Sequence, residues 1–169
     1  MNTKAIERRK RSNQNYLIRQ DELLKKLCYS ERNEFEKAQS FLFSKKEILN
    51  GEFWVPIIDW EDLYEISNYG RIRSKKDGYI KTPHLHHSMY YTISLHEHPK
   101  RIKYFILSRL LAINFIENPF NLPEVNHKNK IRIDCRLSNL EWTSSKQNSK
   151  HKSIVECSYN NKIKVVKLS

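Results

Sequence analysis

The sequence predicts an α+β fold: a helical extension, a small antiparallel β-sheet, then a helix with two further short strands. Three observations predict it. Apolar residues recur at helical spacing before residue 50, short aromatic and β-branched runs broken by turn residues begin at Trp54, and helical spacing returns at Leu107. A length of 169 residues leaves room for one ordinary domain and an appendage, not two full domains.

Residues 1–50 form the extension. Leu17, Leu23, Leu24 and Leu27, then Phe35, Ala38 and Leu42, mark its helices, and Ser44 with Glu47 fits a capping box opening a third segment. The basic stretch before Tyr16 is either a solvated tail or a nucleic-acid-contacting arm. Val55–Ile58, Tyr64–Ile66, Arg71–Arg73, Tyr90–Leu95 and Lys103–Ile106 read as strands of one antiparallel sheet over 54–106. Asn68-Tyr-Gly70 and Asp77-Gly78 supply the residues that tolerate positive φ in hairpins. The next helix is Leu107–Phe115, with Leu110, Leu111, Ile113 and Phe115 on its buried side and Asn118-Pro119 ending it. Pro123–His127 is extended and Asn139–Thr143 is a second strand. Ser144 or Ser145 then caps a helix through Gln147, Asn148 and His151. Residues 152–169 form a basic tail, in which Ile163–Val166 has the composition of a last strand. Trp60, Tyr64, Phe115 and Trp142 belong to the expected core, while Tyr69, Tyr90 and Tyr91 either pack on the sheet or stack on bases.

Charge narrows the function. There are 31 Lys and Arg against 19 acids, a net +12, which favours a polyanionic partner because each neutralised phosphate releases counterions. Nucleic acid comes first and an acidic membrane surface second. From 71 to 109, nine basic residues stand against two acids. Arg71 and Arg73, two apart on a strand, point the same way and with Lys75, Lys76 and Arg109 make up the expected nucleic-acid-binding set. No apolar run approaches the roughly 18 residues of a membrane span, so a soluble chain without a membrane partner is expected. Cys28, Cys135 and Cys157 are odd in number and far apart, which suits an intracellular reducing compartment better than a disulfide framework. Arg8–Arg11 has no apolar stretch behind it and is not read as a secretory signal. His84, His86, His87, His96 and His98 match no zinc spacing and are expected on the surface.

Two stretches carry a resemblance. Trp60-Glu-Asp-Leu-Tyr-Glu-Ile-Ser-Asn-Tyr-Gly-Arg-Ile-Arg-Ser74 resembles the small nuclease-associated module that precedes HNH domains in phage and organellar homing endonucleases. Arg109-Leu-Leu-Ala-Ile-Asn-Phe-Ile-Glu-Asn-Pro119, Val125-Asn-His127, Asp134-Cys-Arg-Leu-Ser-Asn-Leu-Glu-Trp142 and Gln147-Asn148 resemble the HNH domain itself, over 107–151. The resemblance implies a ββα hairpin-and-helix around one divalent metal, Mg²⁺ by preference, with double-stranded DNA as partner. It implies phage-infected cytoplasm or an organelle matrix as the setting. It places the general-base histidine at His127, the middle asparagine at Asn139 and the metal-binding helix residue at Asn148. The other protein metal ligand that it implies is Asn126, just before the histidine.

The chemistry explains why such residues are needed. Hydrolysis of a phosphodiester requires a water to lose a proton, and histidine titrates where it can take one. A hard divalent cation takes oxygen ligands and stabilises the leaving oxygen as a Lewis acid. Asn139 is expected to tie the loop backbone and so orient His127. Both expected ligands are neutral, which leaves the phosphate and waters to supply charge.

Three departures from the family pattern stand out. Ser108 occupies the place where the family often has a histidine before the Arg109-Leu-Leu-Ala helix. Lys128-Asn-Lys-Ile131 follows His127 where an Asp-Gly turn is common. Only a short segment follows His151, where related homing enzymes usually carry another DNA-binding module. The leading expectation is therefore a strand-nicking DNA endonuclease. The alternative is a degenerate relative retained as a structural nucleic-acid-binding component, with rRNA and ribosomal proteins as partners in an organellar ribosome. A non-catalytic DNA-binding regulator ranks third, since no helix-turn-helix signal is present.

Overall fold

The computed structural model describes residues 25, 29–46, 49–86, 88, 90–98 and 101–150. The expected leucine stripe before Tyr29, Glu47 of the capping box, His87, the strand at Ile163–Val166 and the basic tail lie outside the described residues.

Helix α1 (Tyr29–Leu42) sets Phe35 and Leu42 into the core, at 6% and 3% exposure. The strands follow as β1 (Trp54–Pro56), β2 (Tyr64–Ser67), β3 (Ile72–Ser74), β4 (Ile80–Lys81), β5 (His84–Leu85), β6 (Tyr91–His98) and β7 (Arg101–Ile106). Helix α2 (Leu107–Phe115) continues from β7 without a linker. After it come β8 (Glu124–His127), a 3₁₀ turn at Leu137–Asn139 and β9 (Leu140–Thr143). The architecture is mixed α+β with antiparallel pairing throughout.

The expected single sheet over 54–106 is corrected to two, one ordered β1-β2-β3-β4 and the other β5-β6-β7. The break falls at Thr82-Pro83, where proline offers no N–H to continue a ladder. In the first sheet Ile66 opposes Ile72, and both are fully buried, so that pair fixes the register. Gly70 turns β2 into β3 at φ +80°. A Cβ built there would lie 3.3 Å from Leu111 and 3.4 Å from Leu42, so the turn presses between the two helices.

Helix α2 packs against β6 and β7 and against the β8/β9 hairpin. Leu107, Leu110, Leu111 and Ala112 are buried, whereas Ile113 is 38% exposed and corrects the expectation that it is buried. Ile113 follows the buried face by about 100° around the helix, which carries it toward solvent. Trp60 and Tyr64 join the core, Phe115 packs half-buried against it, and Trp142 is half-buried. Among the described residues no helix is long and apolar enough to cross a membrane.

Candidate functional site

The β8/β9 hairpin is the frame of the site, with Glu124 opposite Thr143, Val125 opposite Trp142, Asn126 opposite Glu141 and His127 opposite Leu140. Strand alternation puts Glu124 and Asn126 on one face and Val125 and His127 on the other. Arg109 of α2 anchors this hairpin. Its Nη1 donates to the Pro123 carbonyl at 2.7 Å, and its guanidinium lies 5.5 Å from the Trp142 ring. Next to β9, Ser144 and Gln147 form a reciprocal capping box. Gln147 N–H donates to Ser144 Oγ at 3.3 Å, and Ser144 N–H donates to Gln147 Oε1 at 3.2 Å. The helical stretch 145–150 that starts there carries Asn148.

Asn126, His127, Asn139 and Asn148 are all buried, at 8%, 5%, 6% and 8% exposure. Asn148 Nδ2 donates to a carboxylate oxygen of Glu124, which brings Asn148 to the face of β8 that also carries Asn126. Asn126 Nδ2 donates to Glu141 Oε1 at 2.8 Å. A carboxylate can only accept, so both amides must turn their NH₂ groups toward these acids. Among the described residues neither Asn Oδ1 accepts a hydrogen bond.

Asn139 ties the loop after His127. Its Nδ2 donates to the Asp134 carbonyl at 2.9 Å, and its Oδ1 accepts from Asn129 N–H at 3.0 Å. Lys128 N–H donates to the Asn139 carbonyl and Lys130 N–H to the His127 carbonyl, at 2.9 and 2.8 Å. Lys130 takes the left-handed conformation, φ 66°, a region that favours glycine. Asp134 is fully buried and holds Asn129 Nδ2 at 2.7 Å and Arg136 Nη2 at 2.6 Å. Arg136 reaches on to Glu34, and Gln39 Nε2 donates to the Ile133 carbonyl, so α1 braces the same loop.

The His127 ring sits 5.8 Å from that of Tyr90. Its Nε2 is the one buried side-chain polar atom among the described residues that lacks a hydrogen-bond partner. Burial pushes the His127 pKa down to about 4; Asp134 opposes this and Arg132 adds to it. The ring is therefore neutral at pH 7.

The basic surface differs from expectation at Arg71. Arg71 and Arg73 do lie on one side, both over the Trp54 ring at 5.3 and 4.3 Å. Arg71, however, is fully buried, forked onto Glu52 and bonded to the Ser44 and Lys46 carbonyls, so it cannot meet a phosphate. Its nucleic-acid role is corrected to a structural one: a buried guanidinium must spend its donors inside the fold. Arg73 is one-third exposed and pairs with Glu65 at 2.7 Å. Lys75 and Lys76 are exposed, and Lys75 Nζ donates to the Glu61 carbonyl at 3.1 Å. Tyr69 and Tyr91 are packing residues. Tyr69 donates to the Asn50 carbonyl at 2.8 Å, and Tyr91 donates to Gln39 Oε1 at 3.0 Å with its pKa raised by burial to about 12. No three His, Cys, Asp or Glu gather as a metal group among the described residues. Sequence reasoning missed Glu124, Glu141, Asp134 and Glu52. Only the spacing of Glu124 two before Asn126 on a strand was a usable signal.

Three comparisons bear on this geometry. The NUMOD4 motif matches residues 52–96, which span β1 to most of β6. Two uncharacterized HNH endonucleases of Acanthamoeba polyphaga mimivirus are similar to the chain. One is 43% identical over 93 residues, 53% of this chain and 27% of its own length. The other is 29% identical over 103 residues, 59% of this chain and 26% of its own length. The chain thus spans about a quarter of the curated relatives it matches. Among solved structures, the HNH homing endonuclease I-HmuI, from work on its DNA binding and cleavage, is similar with a TM-score of 0.55. It is 28% identical, over 62% of this chain and 59% of that one.

Proposed function

We propose that this chain, a relative of the HNH homing endonucleases bearing a NUMOD4 motif, is a metal-dependent DNA endonuclease that nicks one strand through the β8/β9 hairpin and the helix after it. The observation that carries the reading is the unpartnered Nε2 of His127. A buried polar atom left without a partner costs about 1–3 kcal/mol, which a purely structural histidine would shed by finding one. With the ring neutral at pH 7, one ring nitrogen holds a free lone pair that can take the proton of an attacking water. An adjacent phosphate anion raises the pKa of that ring from its low value in the free protein toward the range where general bases work. Asn139 keeps the ring's strand end and loop in register through its two hydrogen bonds.

The donor set fits a hard divalent cation, Mg²⁺ among them. Asn126 and Asn148 offer amide oxygens that carry no competing hydrogen bond among the described residues. When bound there, such an ion supplies Lewis-acid stabilisation of the leaving oxygen. Among the described residues there is one such hairpin, which is why a single-strand cut is proposed. Nothing in the comparisons supports the ribosomal alternative.

The test is His127→Ala in paired nicking and gel-shift assays on double-stranded DNA. Cleavage should vanish while affinity changes less than about threefold. A variant that nicks at the wild-type rate, or that loses affinity in step with cleavage, overturns the assignment.

A further inference from the structure

Both asparagines at the site are held by an acid. Asn148 gives its Nδ2 to Glu124 from the neighbouring helix, and Asn126 gives its Nδ2 to Glu141 across the hairpin at 2.8 Å. We propose that Glu124 and Glu141 are positioning residues of the metal site: they orient the two amides so that both Oδ1 atoms remain as donors, and they lend it the negative charge that the amides lack. The inference rests on the metal-dependent reading above.

Three physical points carry it. An amide is symmetric in shape, and free asparagine presents oxygen or nitrogen with little preference, but a carboxylate accepts only. Each acid therefore selects one flip of its asparagine and rejects the other, which would set two oxygens against each other. A hydrogen bond from Nδ2–H to a carboxylate also shifts electron density toward Oδ1, making it a stronger ligand for a hard cation. Finally, the acids put two formal charges one hydrogen bond away from the amide nitrogens. A site expected to be held without protein charge is charged from behind. Strand geometry makes this economical, because Glu124 shares its face of β8 with Asn126 and Glu141 is the direct cross-strand partner of Asn126.

Manganese binding tests the inference without any cleavage. Free Mn²⁺ is followed by electron paramagnetic resonance during titration of the full chain, with and without a DNA duplex, for wild type, Glu124→Gln, Glu141→Gln and Glu124→Ala. Glutamine keeps an acceptor oxygen and so keeps the amide oriented while removing charge. Each Gln variant should bind Mn²⁺ about tenfold more weakly, and Glu124→Ala more weakly still, with unchanged melting temperature for the Gln variants. Asn126→Asp on the Glu141→Gln background should restore affinity, because it returns the charge at the ligand itself. The same Asn126→Asp change opposite an intact Glu141 should help less, since two carboxylates then face each other. Gln variants that are folded and bind Mn²⁺ like the wild type overturn this inference alone. A wild-type chain that binds no Mn²⁺, even with DNA present, overturns the metal-dependent reading and this inference with it. Should Glu141→Gln fail to fold, Glu124→Gln carries the same decision.

Discussion

Arg71 and Glu52 form a forked ion pair inside the protein, with side-chain exposures of 0% and 2%, at the seam between β3 and the end of the helical extension. The guanidinium also bonds the carbonyls of Ser44 and Lys46, so one side chain gathers the backbone on which α1 leads into β1. Removing one partner of such a pair strands a buried charge. Arg71→Met should therefore cost about 3–5 kcal/mol in urea unfolding, whereas Arg71→Met with Glu52→Leu should recover most of that loss. A single variant within 1 kcal/mol of wild type contradicts the pairing.

DNA binding should instead respond to the exposed Lys75 and Lys76 and the partly exposed Arg73. Arg73, Lys75 and Lys76 changed to Ala should each lower the slope of log affinity against log salt by up to about 0.9, where each side chain meets one phosphate. Fluorescence anisotropy with a duplex between low and moderate salt measures this. If the triple variant keeps the wild-type slope, this face does not bind DNA.

His127 makes stability depend on pH with a definite sign. Its folded pKa of about 4 lies below its unfolded value of 6.5, so the unfolded chain binds the extra proton between those pH values. This contribution is fully present above pH 6.5, declines as pH falls toward 4, and totals on the order of 3 kcal/mol at 1.36 kcal/mol per pKa unit. Urea melts of wild type and His127→Gln at pH 7, 5.5 and 4 should show the wild type losing more. Parallel curves reject the buried neutral ring.

Gly70→Ala should destabilise by about 1–3 kcal/mol, because a Cβ is unfavourable at φ +80° and would crowd Leu111 and Leu42. Thermal unfolding reads the effect. A neutral outcome means that the α1–turn–α2 contact is looser than described.

Asn139→Ala removes both the acceptor for Asn129 N–H and the donor to the Asp134 carbonyl. Two backbone groups then lose their partners, for a loss of about 2 kcal/mol or more in stability. Nicking should fall well below the level explained by the unfolded fraction, because His127 loses the brace on its loop. Full nicking activity in the folded variant argues against that bracing role.

Much of the framework was legible in the residue order because its causes are local. The helix Leu107–Phe115 matched its apolar spacing and stop signal, and the hairpin strands matched their composition to within a residue or two. Ser144 and Gln147 announce their capping box within four residues, and the helix they start sets where Asn148 stands. Tertiary structure decided what periodicity cannot encode. A strand pattern shows that Arg71 and Arg73 share a side, but only the fold brings Glu52 against one of them and leaves the other near water. Glu124 and Glu141 look like ordinary surface acids in sequence. They acquire their partners because the hairpin register and the return of the helical stretch after β9 bring Asn126 and Asn148 to them. The physical reason is the same in each case: propensity and spacing act over a few residues, whereas the environment of a charge depends on groups far along the chain.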